Sequence, residues 1–200
     1  MLKNFKLKMK VDKESLLLEN KTIYLRPLKI GDITVEYING LNDPEVNRYL
    51  VDVRRTLQTR KSVRKFIISN IETLSSILFG IFIKDDPRPF VGTLRVSEIN
   101  FFHYSASIGI CLFAKHAWKK GYALKALKMA KDYLFKDLGL HYLEAGVYAK
   151  NKSSINLFTK AVFSGSYRVK NKFRHKNSFE EVIFLGVINK SFDKSKLNNK

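Results

Sequence analysis

Two hundred residues, 45% hydrophobic and 12% aromatic, suffice for one domain with a proper core. The 37 Lys and Arg against 18 Asp and Glu leave a net charge of +19, which favours anionic partners: nucleic acid, anionic lipid, acidic protein or a nucleotide-linked small molecule. A single cysteine, Cys111, excludes an internal disulfide, and with no ligands at metal spacing around it no metal is expected. No apolar stretch reaches signal-peptide or membrane-spanning length, so the expectation is a chain of the reducing cytoplasm.

In chain order, Thr22 to Leu28 reads as a short strand closed by Pro27, and Asp32 as the N-cap of a helix through Ile33, Tyr37 and Ile38. Asn42-Asp43-Pro44 restarts a helix, with Pro at the first position after an Asp cap. Apolar residues at 63, 66, 67, 71 and 74 predict a helix over Thr59 to Leu74. Ile77 to Ile83 and Phe90 to Ile99 are β-branched and aromatic runs joined by a Pro-rich turn, an antiparallel hairpin. Ser105 to Phe113 is the next strand, and Gly121 to Leu138 a long helix that turns Ala123, Ala126, Leu127, Ala130, Leu134 and Leu138 inward before Gly139 ends it. A strand (His141 to Tyr148), a helix (Lys152 to Val162) and two closing strands near Tyr167 to Phe173 and Phe179 to Ile188 complete the order. A basic extension (1 to 20) and a basic tail (189 to 200) flank the domain at 21 to 188, and residues 1 to 15 and 190 to 200 read as mobile tails.

Between a short apolar strand and a long amphipathic helix lies Trp118-Lys119-Lys120-Gly121-Tyr122-Ala123-Leu124. Glycine lets backbone approach a ligand, and free amides at a helix start attract phosphate oxygens. On its own this is an ordinary strand-to-helix loop as readily as a phosphate cradle. The residues around it add the W-x-x-G-Y-A loop, a helix of set length, the entry LGL-x-x-L, and Asn151 with Ser154 heading the following helix. In that order and spacing the run from Ile108 to Phe163 resembles the core of the GNAT superfamily of acyl-CoA-dependent N-acyltransferases. TIYLRPL, NDPEVNRYL, LFGIFI and VIFLGV extend the likeness to nearly all of residues 20 to 188.

The resemblance implies an α/β (α+β) fold with a mixed, mostly antiparallel sheet of six to seven strands, helices on both faces and a splayed central strand pair. It implies that the pantetheine arm of acetyl-CoA (coenzyme A) pairs with backbone at Ile108, Ile110, Cys111 and Leu112. The pyrophosphate would rest on Trp118, Lys119, Lys120, Gly121, Tyr122 and Ala123, with Asn151 and Ser154 completing the cofactor site. By the residues alone, Asn151 is equally a plain helix cap.

Acyl transfer to an amine requires a neutral amine, a stabilised oxyanion and a proton for the leaving thiolate. The oxyanion donor is expected to be a backbone amide near Ile110. Many relatives place a tyrosine where this chain has Phe158, which leaves Ser154 as the hydroxyl. The carboxylate common in relatives is replaced by Ser107, so Glu98 and His103 are the candidate bases, with a water relay as the alternative.

The front segment NDPEVNRYLVDVR resembles GNAT members that acetylate nucleotide-linked amino sugars for surface polysaccharides. It nominates Asn42, Arg48, Tyr49, Asp52 and Arg54 for the acceptor, arginines suiting a diphosphate. The basic strand Tyr167 to Arg174 is a further candidate, or simply a wet strand face. The expected partner is a small, anionic amine. A protein N-terminal acetyltransferase of the ribosomal-protein kind is the alternative enzyme, and an acyl-CoA-binding module or a basic nucleic-acid-binding protein the non-enzymatic one. No zinc pattern, recognition helix or stacking motif supports nucleic acid. Exposed C-terminal sheet edges are compatible with a homodimer.

Overall fold

The computed structural model describes residues 12–175 and 177–198. Eight strands form one sheet: β1 (Leu18–Glu19), β2 (Ile23–Pro27), β3 (Ile77–Ile83), β4 (Phe90–Asn100), β5 (Ser105–Leu112), β6 (Tyr142–Tyr148), β7 (Ser164–His175) and β8 (Ser178–Ile188). Their order is β1-β2-β3-β4-β5-β6-β8-β7. Five helices cover it: α1 (Val35–Asn42), α2 (Pro44–Asn47), α3 (Arg60–Glu72), α4 (Tyr122–Lys136) and α5 (Lys152–Lys160). The strand beyond the expected six or seven is the two-residue β1, too short to leave a periodic trace, which pairs Leu18 with Leu25 and Glu19 with Tyr24.

Neighbouring strands are antiparallel except β5 and β6. That parallel pair has only three matched positions, Ser105 with Tyr142, Ala106 with Leu143 and Ser107 with Glu144. Beyond Ser107, β5 continues against β4 as far as Leu112, and β6 continues against β8 as far as Tyr148. The two strands therefore part in the middle of the sheet.

Strand alternation sends side chains to two different covers. One face, with Phe79, Ile81, Leu94, Val96, Ile108 and Leu143, packs under α4 and α5 through Ala126, Leu127, Ala130, Leu134 and Phe158. The other, with Leu78 and Phe82, packs under α1 and α3 through Tyr37, Leu41, Val63 and Ile67. Gly40 lets α1 sit on the end of β5, since a Cβ there would meet Phe113 at 2.8 Å.

Several local expectations shift. Asp32 does not cap the first helix; its carboxylate pairs with Arg26 at 2.7 Å and takes the Lys29 amide, closing the 3-10 turn Ile30–Asp32. Thr34 is the cap, accepting from the Tyr37 amide. Helix α3 ends at Glu72, short of the expected Leu74; within it Val63 and Ile67 are buried, whereas Phe66 and Ile71, and Leu74 beyond its end, are exposed. Within the flanks, Lys13 donates to the carbonyls of Asn70 and Thr73 at the end of α3. Phe192 packs on Tyr104 and His141. The remainder of the N-terminal extension, residues 1 to 11, lies outside the described residues.

Candidate active site

Where β5 leaves β6, Ile108 to Leu112 have a partner strand on one side only. An extended chain laid in the gap would meet unclaimed main-chain groups there, which cost free energy unless they are paired or hydrated. The chain then runs through the 3-10 turn Lys115–Ala117 into the loop before α4. Trp118 anchors this loop, its indole N–H donating to the Leu112 carbonyl at 2.9 Å. Lys119 and Gly121 both hold positive φ, 59° and 80°. Gly121 is the N-cap of α4 and supplies no side-chain cap bond, and a Cβ there would meet nothing within 4 Å. The first-turn amides thus face open space beside the exposed Lys119 and Lys120. This arrangement fits a diphosphate by both geometry and charge.

Asn151 caps α5, its carboxamide oxygen accepting from the Ser154 amide at 3.1 Å. The Ser154 hydroxyl is half-buried and makes no hydrogen bond among the described residues. Phe158 is core, edge-on to Phe163.

On the opposite face a cavity of about 350 Å³ opens between α1, α3, β4 and β5. Tyr37, Leu41, Val63, Phe66, Thr93 and Arg95 form walls, Asp52 and Gln58 lie on the loop side, and Gly109, Ile110 and Cys111 form the floor. Burial pushes the Cys111 thiol up to about 12, and burial also raises the Tyr37 hydroxyl. Cys111 is therefore a neutral floor residue whose side chain lies on the cavity face of β5.

The candidate bases separate. Glu98 sits on a β-bulge at φ 54° and accepts from the Ser107 hydroxyl at 2.6 Å, at the vertex of the splay. His103 is not brought to the gap: it is exposed in the turn before β5, at the closed end of the strand pair, edge-on to Phe102. Strand alternation and the three-position parallel pairing leave it on the wrong end. Missed by the sequence reading is Glu144, level with Ser107 across the vertex and 3.3 Å from the Tyr142 hydroxyl. Only the β5–β6 register reveals it. Arg95 and Phe66 were likewise missed, since nothing local marks a strand arginine or a helix phenylalanine as cavity lining.

Of the acceptor candidates, Asp52 lines the cavity. Asn42 does not face it; its side chain exchanges two hydrogen bonds with the Gln58 backbone and holds the loop. Arg54 reaches the Arg48 carbonyl, the Tyr148 hydroxyl and the Arg174 carbonyl. Tyr49 packs on Tyr148 under the Arg48 guanidinium. Arg48, Tyr49 and Arg54 thus tie the 42–55 segment to β6 and β7, a basic rim around the gap. Lys115 ties it to the cofactor loop, bonding Asp43 at 2.7 Å and Glu45 at 2.9 Å.

A sequence model described as an acetyltransferase (GNAT) domain matches residues 22–164. The chain belongs to the GNAT family. It is an N-acetyltransferase acting on amines, and acetyl-CoA is its acyl donor. Among its relatives, a probable N-acetyltransferase, YjcK, of Bacillus subtilis is 29% identical over 178 residues, 86% of this chain and 97% of the relative. The GNAT fold recurs in the ribosomal-protein-S5-alanine acetyltransferase of Vibrio fischeri, with a TM-score of 0.79, 18% identity, and 90% and 100% of the two chains covered. It recurs also in the spermidine N-acetyltransferase of Vibrio cholerae, solved with CoA and spermine, at 0.75, 22% identity, and 90% and 100% covered. This GNAT chain has no helix, among its described residues, long and apolar enough to cross a membrane.

Proposed function

We propose that the acceptor amine enters the cavity between α1, α3, β4 and β5, and that its attached body is anionic and rests on the basic rim, as in a nucleotide-linked amino sugar. One observation carries this reading: the cavity floor, Gly109 to Cys111, is the same stretch at which β5 has lost its partner. An amine in the cavity and an acyl donor in the gap would thus meet across a single strand.

When bound, acetyl-CoA supplies an activated acyl thioester. The loop 118 to 123 would hold its diphosphate, the main chain of 108 to 112 would hold its pantetheine arm, and an amide near Ile110 would stabilise negative charge on the acyl oxygen. Asn151 and Ser154 sit at the start of α5, and the Ser154 hydroxyl would give a proton to the departing sulfur. Ser107 donates to Glu98, which leaves its oxygen lone pairs free to accept a proton from the amine. Glu98 is the base acting through that hydroxyl.

A polyamine, the substrate named for the Vibrio cholerae relative, suits this cavity poorly. Its one lining carboxylate, Asp52, is highly exposed, and Arg95 opposes a polycation. A protein N-terminus with an acidic tail is the second reading, favoured by β7, an edge strand carrying Arg168, Lys170, Lys172 and Arg174 beside Arg54.

Release of free coenzyme A, followed with a thiol reagent, tests these readings against nucleoside-diphosphate amino sugars, acidic peptides, spermidine and small neutral amines. Preferential turnover of the sugar nucleotides is expected, and Ser154→Ala is expected to lower kcat about a hundredfold with little change in KM. Equal turnover of uncharged amines overturns the anionic acceptor.

A further inference from the structure

Arg95 stands on β4 directly across from Gly109, the floor glycine at which an added Cβ would meet nothing within 4 Å. Paired positions on adjacent antiparallel strands lie about 5 Å apart, so this side chain rises beside the place where the acceptor amine must sit. Its position is built. The Nε–H donates to the Asn70 side-chain oxygen at 3.0 Å, and its guanidinium carbon lies 5.3 Å from the centroid of the Phe66 ring.

Asn70 is itself only 3% exposed and held at both ends of its carboxamide. Its oxygen also accepts from the buried Ser76 hydroxyl, and its amide donates to the Phe66 carbonyl at 2.7 Å. A side chain so tethered cannot swing with its guanidinium. One of five N–H donors is thus spent on a rigid, neutral acceptor, and the other four, on the two terminal nitrogens, make no hydrogen bond among the described residues. No carboxylate among the described residues pairs with Arg95 either; the carboxylate of the same cavity, Asp52, leans to Arg55 at 3.7 Å.

We propose that Arg95 is the residue that recognises the acceptor, its planar guanidinium gripping a carboxylate or phosphate carried close to the amine. This rests on the cavity being the acceptor site. The chemistry follows from the shape of the group: a guanidinium fixed through Nε presents Nη1 and Nη2 as a fork, which matches two oxygens of one anion. Phe66 and Asn70 position the fork and add no charge of their own. Of the rim residues, Arg48 stacks on Tyr49 and Arg54 donates to two backbone carbonyls, so the rim supplies general attraction for the anionic body and Arg95 carries the selectivity inside the cavity. An acceptor then needs two poles, an amine over Gly109 and an anion one strand away, which small neutral amines and polyamines lack.

The test uses full-length protein saturated with coenzyme A, so that the diphosphate cradle is filled, and titrates uridine diphosphate and succinate by calorimetry. Arg95→Gln is expected to weaken one of the two at least about tenfold while coenzyme A binds as before. Arg95→Lys is expected to recover part of the loss, because charge returns without the fork. Loss confined to uridine diphosphate identifies the anion as phosphate, and loss confined to succinate identifies it as carboxylate. If neither probe binds the parent protein, or Arg95→Gln binds both as well as the parent, the proposal falls. In turnover, Arg95→Gln should raise KM for an anionic amine by a larger factor than for a neutral amine. An equal loss for both amines reduces Arg95 to a structural part. Failure of coenzyme A to bind at all is a different result, and overturns the cofactor site instead.

Discussion

The two faces of the sheet are built to different ends. Under α4 and α5, Ala126, Leu127, Ala130 and Leu134 are wholly buried, and two helices of 15 and 9 residues seal the surface. Under α1 and α3, helices of 8 and 13 residues and a 3-10 turn at Val53–Arg55 leave a cavity of about 350 Å³ with Gly109 to Cys111 as its floor. Close packing supplies stability where nothing must enter, and capped, tethered elements keep a space where something must. The splay of β5 and β6 joins the two, since the same strand is core on one side and floor on the other.

Substitutions on the sealed side should cost fold, and those on the open side should cost function. The largest effect is expected from Leu134→Ala, which leaves a void in fully packed surroundings and should lose about 2–5 kcal/mol of stability, read by urea unfolding, with kcat retained below the transition. Normal stability in this variant would break the division. Next is Gly121→Glu, which forces an L side chain to φ 80° and sets a negative charge against the diphosphate. Affinity for coenzyme A should drop more than about tenfold, measured by calorimetry, with a smaller loss of melting temperature.

Gly109→Val probes the floor directly. Its added atoms enter open space at a strand position that β-branched residues favour, so the fold should be kept. KM for the acceptor should rise several-fold while coenzyme A affinity changes little. A loss of stability without any change in KM would place the cavity outside the reaction.

The smallest effect concerns Lys115, the link between the acceptor segment and the cofactor loop. Its ammonium is raised above the usual lysine value first by Asp43 and then by Glu45, and Asp43 is lowered first by Lys115. For Asp43 the contribution is present above the ordinary carboxylate value and lost as pH falls through its lowered one. For Lys115 it is present below the ordinary lysine value and lost as pH rises through its raised one. The link should therefore be constant between about pH 5 and 10, and sensitive to salt because the partners are exposed. Lys115→Met should raise both KM values slightly at low salt and leave them unchanged in 1 M NaCl. A salt-independent defect would point instead to the contact of its ammonium with the Trp118 ring, 6.0 Å from the centroid.

Legibility followed locality. Asp43-Pro44 and the Gly-ended α4 were readable because caps and periodicity act within a few residues. The cofactor side was readable for the same reason, since Trp118 to Ala123 and Asn151 to Ser154 are each contiguous. Where two local signals competed, only packing chose: Asp32 has the chemistry of a cap, but Arg26, on β2, claims its carboxylate, and Thr34 caps instead. His103 and Glu98 are five residues apart and equally suited on paper, yet the β4–β5 bulge and the short β5–β6 pairing bring only Glu98 to the vertex.

By itself the chain determined its family, the succession of its elements and the loop that fits a diphosphate, because these depend on contacts between near neighbours. The tertiary structure alone decided that Asn42 braces a loop, that Cys111 and Arg95 line the cavity and that Glu144 stands at the vertex of the splay. The strand placements depend on register between separate segments of the chain. A shift of one position would turn each of those strand side chains to the opposite face.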